Sequence, residues 1–243
     1  MKGEVLSLSP VADRTYDLRI AIKLENPAPG RFVHVAVPGF SLRRPISLCG
    51  YENGVARLVF IVKGRGTAAL AKLRKGGDVD VLGPLGNGFP EGSEGKTVLV
   101  GGGIGIPPLL YYAKTYQNTH AIAGFRSRES MVLTEEFPSL DICTDDGSAG
   151  LAFFPHERLE TYMSLKGAPA RVLACGPYPL LKAVAEVCKR RGVPCFVSVE
   201  ERMACGVGAC LVCACAVGGQ YKRVCKDGPV FDASDVCFEE GNV

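Results

Sequence analysis

The sequence predicts a β plus α/β fold: an antiparallel β-barrel, a parallel-sheet α/β domain and a small cysteine-rich C-terminal domain. Residues 1–94 contain short apolar or alternating segments separated by Pro and Gly, which is typical of antiparallel strands. Strands and helices then alternate through residues 95–200, a pattern that indicates a parallel sheet covered by helices. Four of the 11 cysteines form a spaced array in residues 201–243. A chain of 243 residues is long enough for two domains and an appendage.

Composition narrows the class of protein. A hydrophobic content of 47% with 22% charged residues describes a globular protein with a sizeable core. The net charge of +3 and the absence of a Lys/Arg run do not favour nucleic-acid binding. No apolar run approaches about 18 residues and the N-terminus alternates at once, so we expect neither a membrane span nor a signal peptide. With no export signal, 11 cysteines indicate a reducing cytosol, where thiols serve metal or redox chemistry.

Strand patterns recur at a regular spacing within residues 1–94. They occupy residues 5–8, 16–22, 32–37, 55–62 and 78–82. Repeated short strands of this kind predict a small antiparallel barrel. One helix is expected over residues 66–73, with Thr67 as its N-cap.

A linker composition at residues 91–95 marks the change to the second domain. Strands are then predicted at residues 96–100, 120–125, 140–144, 171–175 and 194–200, and helices at residues 109–114 and 180–191. In the C-terminal domain, Gly218-Gly219 predicts a hairpin turn.

The cysteine array carries the strongest chemical signal. Its members are Cys205, Cys210, Cys213 and Cys225, in the order C-x₄-C-x₂-C…C. This is the plant-type [2Fe–2S] spacing, and Gly206 and Gly208 supply the positive φ that a loop needs to turn its amides towards sulfide. A zinc site would favour two C-x₂-C pairs, and only one is present; buried free thiols are the other alternative. Cys215 and Cys237 are the cysteines most easily mistaken for ligands, and we expect neither to bind.

A second signal follows the strand at residues 96–100. The turn there contains Gly101, Gly102, Gly103 and Gly105. Glycine lets the backbone approach a pyrophosphate, and the helix that follows Pro107-Pro108 offers free amides and the positive end of its dipole. An ordinary tight turn between a strand and a helix is the alternative.

Two segments of the barrel half have features of phosphate sites. Arg43-Arg44-Pro45-Ile46-Ser47 follows Phe40-Ser41-Leu42, the expected end of a strand, and its arginine, rigid proline and hydroxyl could serve a flavin nucleotide. A surface turn is an equal alternative for this segment. Gly64-Arg65-Gly66-Thr67 stands at the predicted helix start. Together with the glycine turn, these segments predict two nucleotides, one in each large domain.

The order of these motifs resembles the ferredoxin reductase superfamily: Arg-Pro-Ile-Ser in the barrel, the glycine turn, Cys175-Gly176-Pro177, then a C-terminal cluster. Within it, two stretches resemble the electron-transfer subunits of the NAD-dependent (class 1B) dihydroorotate dehydrogenases of pyrimidine biosynthesis. They are Glu-Glu-Arg-Met-Ala-Cys-Gly-Val-Gly-Ala-Cys at residues 200–210 and Val-Cys-Lys-Asp-Gly-Pro-Val-Phe at residues 224–231. The resemblance covers essentially the whole chain.

The resemblance implies a flavin-binding barrel at residues 1–94, an NAD-binding domain at 95–200 and a [2Fe–2S] domain at 201–243. It implies that FAD is held by Arg44, Pro45, Ile46, Ser47, Val59, Phe60, Ile61, Gly66 and Thr67. NAD would bind at the glycine turn, and the four cysteines of the array would hold the cluster. Ile61 replaces a residue that is commonly basic or polar, so we expect its contact to be made by backbone. Cys175 would lie near the nicotinamide, although a buried small residue before a turn is the alternative.

The resemblance also implies a function. Electrons would pass from the FMN of a dihydroorotate dehydrogenase catalytic subunit through the cluster and FAD to NAD⁺, in a heterotetramer with two copies of each subunit. No general acid or base is expected in this chain. Leu211, Val212 and Met203 are candidates for contact with the partner, and packing inside this chain is the alternative. The alternatives are a related NAD(P)H–ferredoxin or hydrogenase-linked reductase subunit and, from another class, a non-enzymatic iron–sulfur sensor.

The remaining candidates carry weaker signals. Arg126 and Arg128 follow the second strand of the α/β domain and could meet the 2′-phosphate of NADP. Glu129 would repel that phosphate, which favours NAD. Residues 144–148 end a strand and suit either a turn or a dinucleotide contact. The three histidines are scattered without an acidic partner in motif range, so none is assigned a catalytic role; they are His34, His120 and His156.

Overall fold

The first part of the chain closes into a barrel in the computed structural model, which describes residues 1–238. Its strands are β1 (Lys2–Ala12), β2 (Thr15–Ala21), β3 (Phe32–Val35), β4 (Arg44–Glu52), β5 (Val55–Ile61) and β6 (Asp78–Leu85). They pair antiparallel around the barrel in the order β1-β2-β5-β4-β3-β6. The predicted antiparallel barrel is confirmed.

Alternation along the strands fills the barrel interior. On β3, Val33 and Val35 lie in the barrel core with residues such as Leu18 and Leu58, which are fully buried. Because successive side chains of a strand point to opposite faces, Phe32 and His34 project from the outside of the barrel. Both are nevertheless buried, so another part of the chain covers this outer face.

One short helix, α1 (Arg65–Leu70), follows β5. Its N-cap is Gly64 and Thr67 is the third helical residue, so the expected Thr67 N-cap is wrong. The threonine hydroxyl instead reaches back and accepts a hydrogen bond from the Gly64 backbone amide at 3.2 Å. It thereby serves the same helix start from three residues further along the chain.

The second part of the chain forms a six-stranded sheet. Its elements are β7 (Thr97–Gly102), α2 (Ile106–Thr115), β8 (Thr119–Phe125), β9 (Leu140–Thr144), α3 (Pro155–Lys166), β10 (Arg171–Cys175), α4 (Tyr178–Arg191) and β11 (Cys195–Ser198). These five strands are parallel, in the order β11-β10-β7-β8-β9. Every residue of β7 is buried, as expected for a central strand covered on both faces. No helix in residues 1–238 combines the length and apolar character needed to cross a membrane.

The cysteine-rich segment packs onto this sheet. It contains a hairpin of β12 (Ala214–Val217) and β13 (Gln220–Arg223), turned at Gly218-Gly219 as predicted, and a last strand, β14 (Val230–Asp232). β14 pairs antiparallel with β11 and so extends the α/β sheet. The segment predicted as a separate cluster domain, residues 201–243, therefore shares a sheet with the α/β domain. Its last five residues, 239–243, lie outside the described part.

Candidate flavin, nucleotide and iron–sulfur sites

A pocket lies between the barrel and the carboxyl edge of the parallel sheet, and we call it the interdomain pocket. Seven of the nine residues predicted to hold FAD line it: Pro45, Ile46, Ser47, Val59, Phe60, Ile61 and Thr67. The opposite wall comes from the α/β domain and from the segment after β11; it includes Ile104, Cys175, Ser198, Glu200, Glu201 and Met203. The structure therefore brings together residues from β4, β5 and α1 with the end of β10.

The other two predicted FAD residues, Arg44 and Gly66, contact each other beside this pocket. A Cβ placed on Gly66 would lie 2.1 Å from the Arg44 Nε atom, so only glycine leaves room for the guanidinium at this point. The guanidinium also lies 5.2 Å from the ring centre of Phe40 and donates a hydrogen bond to the Leu42 carbonyl at 2.6 Å. An arginine held in this way beside a pocket lined by three hydroxyl side chains suits a phosphate group.

The glycine turn lies at the carboxyl edge of the sheet, between β7 and α2. Three of its glycines leave no room for a side chain. A Cβ on Gly101 would lie 2.4 Å from Ile106 Cδ1, and one on Gly102 would lie 2.8 Å from Leu180 Cδ2. A Cβ on Gly105 would lie 2.2 Å from the Cys175 carbonyl oxygen. Gly103 has a φ of +52° and open space around it. The backbone at Gly103 is therefore the part of the turn that a ligand can approach.

Cys175 ends β10 directly beside this turn, in register with Gly101 of β7. The thiol is buried and lines the interdomain pocket. Burial raises its pKa to about 12, and the nearby Glu200 carboxylate acts in the same direction. The thiol therefore stays protonated at neutral pH, and it gives the end of β10 a compact, uncharged side chain.

Sequence reasoning missed several residues of the pocket. Glu200 and Glu201 come one residue after the end of β11, and burial raises the pKa of the Glu201 carboxyl. Their position after a parallel strand was a usable signal, since ligands bind at that edge of such sheets. Lys63 and Phe32 also line the pocket. No motif marked Phe32, because its role depends on the cysteine-rich segment packing against β3.

The cysteine loop, residues 205–213, has the shape that its glycines predict. Gly206 and Gly208 both adopt positive φ, at +73° and +80°. The Gly208 amide donates a hydrogen bond to Cys225 Sγ at 3.2 Å, and the Ala209 amide donates one to Cys205 Sγ at 3.3 Å. Amides directed at sulfur are the feature expected of a loop that surrounds an iron–sulfur cluster.

The four cysteines of the array approach each other in two pairs. Hydrogen bonds from the backbone amide of Val207, then from that of Cys210 and from the Cys210 thiol, lower the pKa of Cys205 to about 6. Burial and the neighbouring Cys213 thiol raise the pKa of Cys225 to about 12. Cys205 is thus paired with Cys210, and Cys213 with Cys225.

This pairing decides which metal group the residues fit. Across residues 1–238, no three Cys, His, Asp or Glu side chains are placed to hold a single metal ion. A structural zinc ion requires four ligands around one centre. Two cysteine pairs instead suit a group that contains two irons, each with two thiolate ligands. The residues present therefore fit a [2Fe–2S] cluster better than a zinc ion.

The two competing cysteines have different surroundings from the array. Cys215 is buried on β12, where burial and then the nearby Glu201 carboxylate and Cys213 thiol raise its pKa to about 11. Cys237 follows the last described strand, and its backbone carbonyl accepts a hydrogen bond from the Tyr178 hydroxyl at 2.8 Å. Neither residue is tied by hydrogen bonds to the sulfurs of the array among the contacts of the described chain.

The residues that bear on the choice between NAD and NADP lie at the edge of the sheet beyond the glycine turn. The Arg128 guanidinium donates to the Ser148 carbonyl at 2.8 and 3.1 Å, and the Arg128 amide donates to the Ser148 hydroxyl. Glu129 accepts a hydrogen bond from the Ser127 hydroxyl at 2.7 Å. Arg128 is therefore occupied by the turn at residues 144–148, while a carboxylate stands nearby, an arrangement that favours NAD over NADP.

Comparison with known proteins places this geometry in a family. Residues 200–237 match the family model described as the iron-sulfur cluster binding domain of dihydroorotate dehydrogenase B. The chain is 42% identical over 253 residues to the dihydroorotate dehydrogenase B (NAD(+)) electron transfer subunit of Geobacillus kaustophilus, with 96% of each chain covered. It belongs to this family of electron transfer subunits.

Other relatives agree with this assignment. The family member from Caldanaerobacter subterraneus subsp. tengcongensis is 41% identical over 249 residues, with 98% of each chain covered. Among solved structures, one described as the NADH-dependent reduced ferredoxin-NADP oxidoreductase superposes with a TM-score of 0.87 at 28% identity, over 97% of this chain and 90% of that one. The resemblance drawn from the motifs and the predicted fold class are both confirmed.

Proposed function

We propose that this chain relays electrons between a dihydroorotate dehydrogenase catalytic subunit and NAD⁺, using FAD and a [2Fe–2S] cluster. One observation carries the proposal. Phe32 lines the interdomain pocket and also packs in the same buried cluster as Cys213 and Cys225. Phe32 therefore belongs both to the wall of the pocket that suits a flavin and to the buried cluster that contains two of the four array cysteines.

The residues have distinct duties in this proposal. Arg44, with the space left by Gly66, would hold a phosphate of FAD, while the backbone of β5 at Val59 and Ile61 would lie along the flavin. Gly103 would meet the pyrophosphate of NAD, and Cys175 would bound the nicotinamide. Cys205, Cys210, Cys213 and Cys225 would ligate the cluster.

The bound groups supply the redox chemistry, because a flavin exchanges a hydride with NAD and single electrons with an iron–sulfur centre. The protein supplies position and shielding. Cys175 and Phe32, 3% exposed each, keep water out of the inner walls of the pocket. The proposal assigns no general acid or base, and the two carboxylates at residues 200 and 201 shape the polar wall.

The position of the cysteine loop supports the proposal of a partner. Cys210 lies exposed at the surface, beside Leu211, which is 63% exposed. A cluster held there would be accessible to a second protein, and we propose an FMN-containing catalytic subunit in a complex with two copies of each chain. The 11 free thiols support a reducing cytosol as the site of this complex.

We also propose that residues 1–94 form the FAD domain, residues 95–200 the NAD domain and residues 201–243 the cluster domain.

The test compares the isolated chain with the reconstituted complex. Alone, the protein should oxidise NADH with an artificial dye as acceptor and leave dihydroorotate unchanged. Addition of the FMN-containing catalytic subunit should produce dihydroorotate-dependent reduction of NAD⁺. NAD⁺ reduction by the isolated chain with dihydroorotate would refute the two-subunit proposal. NADH oxidation that requires ferredoxin instead would favour the reductase alternative, to which the similarity with the ferredoxin-NADP oxidoreductase structure also points.

A further inference from the structure

His34 is the most unusual polar side chain of the described molecule. It is fully buried, and neither ring nitrogen has a hydrogen-bond partner. Across residues 1–238 the only other buried side-chain polar atom without a partner is one carboxylate oxygen of Asp17, whose second oxygen accepts from Arg57. Buried polar groups are almost always paired, so an imidazole with two unpaired nitrogens points to a partner that the polypeptide does not provide.

The position of the ring identifies the direction of that partner. His34 projects from the outer face of β3 and lies 5.6 Å from the ring of Phe32, centre to centre. Its Nδ1–Cε1 edge faces the cysteine loop: a Cβ placed on Gly206 would lie 2.9 Å from Nδ1 and 3.0 Å from Cε1. Gly206 follows Cys205 directly. The imidazole therefore lies between the wall of the interdomain pocket and the start of the cysteine loop.

The protonation state of the ring supports a donor role. Burial, together with the Arg43 cation, lowers the pKa of His34 to about 4. The imidazole is therefore neutral at pH 7, with one N–H donor and one acceptor nitrogen. The amides of the cysteine loop at Gly208 and Ala209 already donate to sulfur. A bound cluster would bring electron-rich sulfur atoms to the loop, and these atoms can accept hydrogen bonds.

We propose that His34 donates its ring N–H to a sulfur of the cluster, on the side held by Cys205. The inference rests on the cluster ligands proposed above. His34 is then a positioning residue that joins the barrel to the cluster and tunes its reduction potential. A donor to sulfur stabilises the reduced, more negative cluster and raises its potential.

The first experiment detects the contact between the histidine and the cluster by spectroscopy. The holoprotein, labelled with ¹⁵N only in histidine, is reduced and studied by pulsed EPR. We expect a weak ¹⁵N coupling to the cluster, since the chain has three histidines and only His34 faces the loop. The coupling should persist in His120→Gln and His156→Gln and disappear in His34→Gln. A normal cluster signal without histidine coupling would overturn this inference alone; absence of any cluster signal would overturn the proposed ligands as well.

The second experiment measures reduction potentials. In His34→Leu the reduction potential of the cluster should fall by up to about 59 mV. This shift corresponds to a tenfold change in the equilibrium constant for one-electron reduction. His34→Gln retains an amide donor and should remain closer to the wild type. Leu85→Met is the matched control, because Leu85 also contacts the Gly206 position but has no polar atom to lose. An unchanged cluster potential in His34→Leu, or a shift in the FAD potential only, would show that His34 does not serve the cluster.

Discussion

At Gly66 the backbone of α1 lies against the guanidinium group of Arg44, with no space for a side chain. We predict that Gly66→Ala displaces the guanidinium and weakens FAD binding by about tenfold to a hundredfold, the usual cost of losing a charged hydrogen bond. Gly64→Ala is the control, because a Cβ there meets open space. Fluorescence titration of the apoprotein with FAD measures both. Equal affinity in the two variants would remove Arg44 from the phosphate site.

The cysteines differ in what surrounds their sulfurs. The Cys205 and Cys225 sulfurs each accept a hydrogen bond from an amide of the cysteine loop, whereas no such bond reaches the Cys215 sulfur among the contacts of residues 1–238. We predict that serine at any of the four ligand positions removes or alters the EPR spectrum of the reduced cluster, and that Cys215→Ser leaves it normal. Cys237→Ser should behave like Cys215→Ser. A normal spectrum from Cys225→Ser, with loss in Cys215→Ser, would contradict the assignment.

At the scale of elements, one ion-pair network joins the barrel to the α/β domain. Arg57 on β5 donates to Asp17 on β2 and, through two nitrogens at 2.7 Å each, to the Glu136 carboxylate. Lys114 on α2 also binds Glu136. Because the Arg57 side chain is 15% exposed and that of Glu136 31%, the network is partly shielded from water. It therefore fixes how the two walls of the interdomain pocket face each other.

A double-mutant cycle tests this network. We expect Arg57→Met and Glu136→Gln to show a coupling of about 1 kcal/mol in the free energy of unfolding. Hydrogen bonds from Arg57 lower the pKa of Glu136 to about 2. A carboxyl group whose pKa is lowered by folding stabilises the protein fully at pH values above its unfolded pKa of about 4.3. This stabilisation is lost as the pH falls towards 2. The coupling should therefore be constant from pH 6 to 8. Glu135→Gln, at the exposed neighbour, is the control; equal effects of both substitutions would exclude a specific pair.

Periodicity predicted most elements of the fold and left others out for identifiable reasons. α3 was missed because only four of its twelve residues are buried, so its apolar pattern is weak. The expected strand end at Phe40-Ser41-Leu42 is wrong, since that stretch is a turn and β4 begins at Arg44. β14 has three residues, and its pairing with β11 depends on contacts distant in sequence. Local patterns do not contain such information.

At the scale of the whole molecule, the candidate site was predictable as motifs and not as an arrangement. Spacing alone indicated the cysteine array, and the glycine turn followed from strand and helix patterns. The role of Phe32 and His34 depends on the cysteine loop packing on β3. Asn87 helps to hold that packing: its side chain donates to the Val230 carbonyl at 2.8 Å and accepts from the Val230 amide at 2.9 Å. An isolated asparagine after a barrel strand gives no sequence signal for this link.

The surface around the cysteine loop carries exposed apolar side chains. Val207, Leu211 and Val212 are each more than half exposed, whereas Met203 lines the interdomain pocket and packs inward. Leu211 also has a φ of +58°, a left-handed conformation that is uncommon for leucine. Exposed apolar side chains, one of them on a residue with an unfavourable backbone conformation, indicate a surface kept for contact rather than for folding.

We predict that the combined change Leu211→Asn and Val212→Ser weakens binding to the proposed FMN-containing catalytic subunit by tenfold or more, since buried apolar anchors at an interface contribute above about 1 kcal/mol. Asparagine tolerates positive φ, so the loop should keep its shape and the cluster its EPR spectrum. Leu165→Ser is the control, because Leu165 is 71% exposed on α3 and far along the chain from the loop. Affinity measured by calorimetry should fall only in the loop variant. Undiminished affinity there would place the partner on another face.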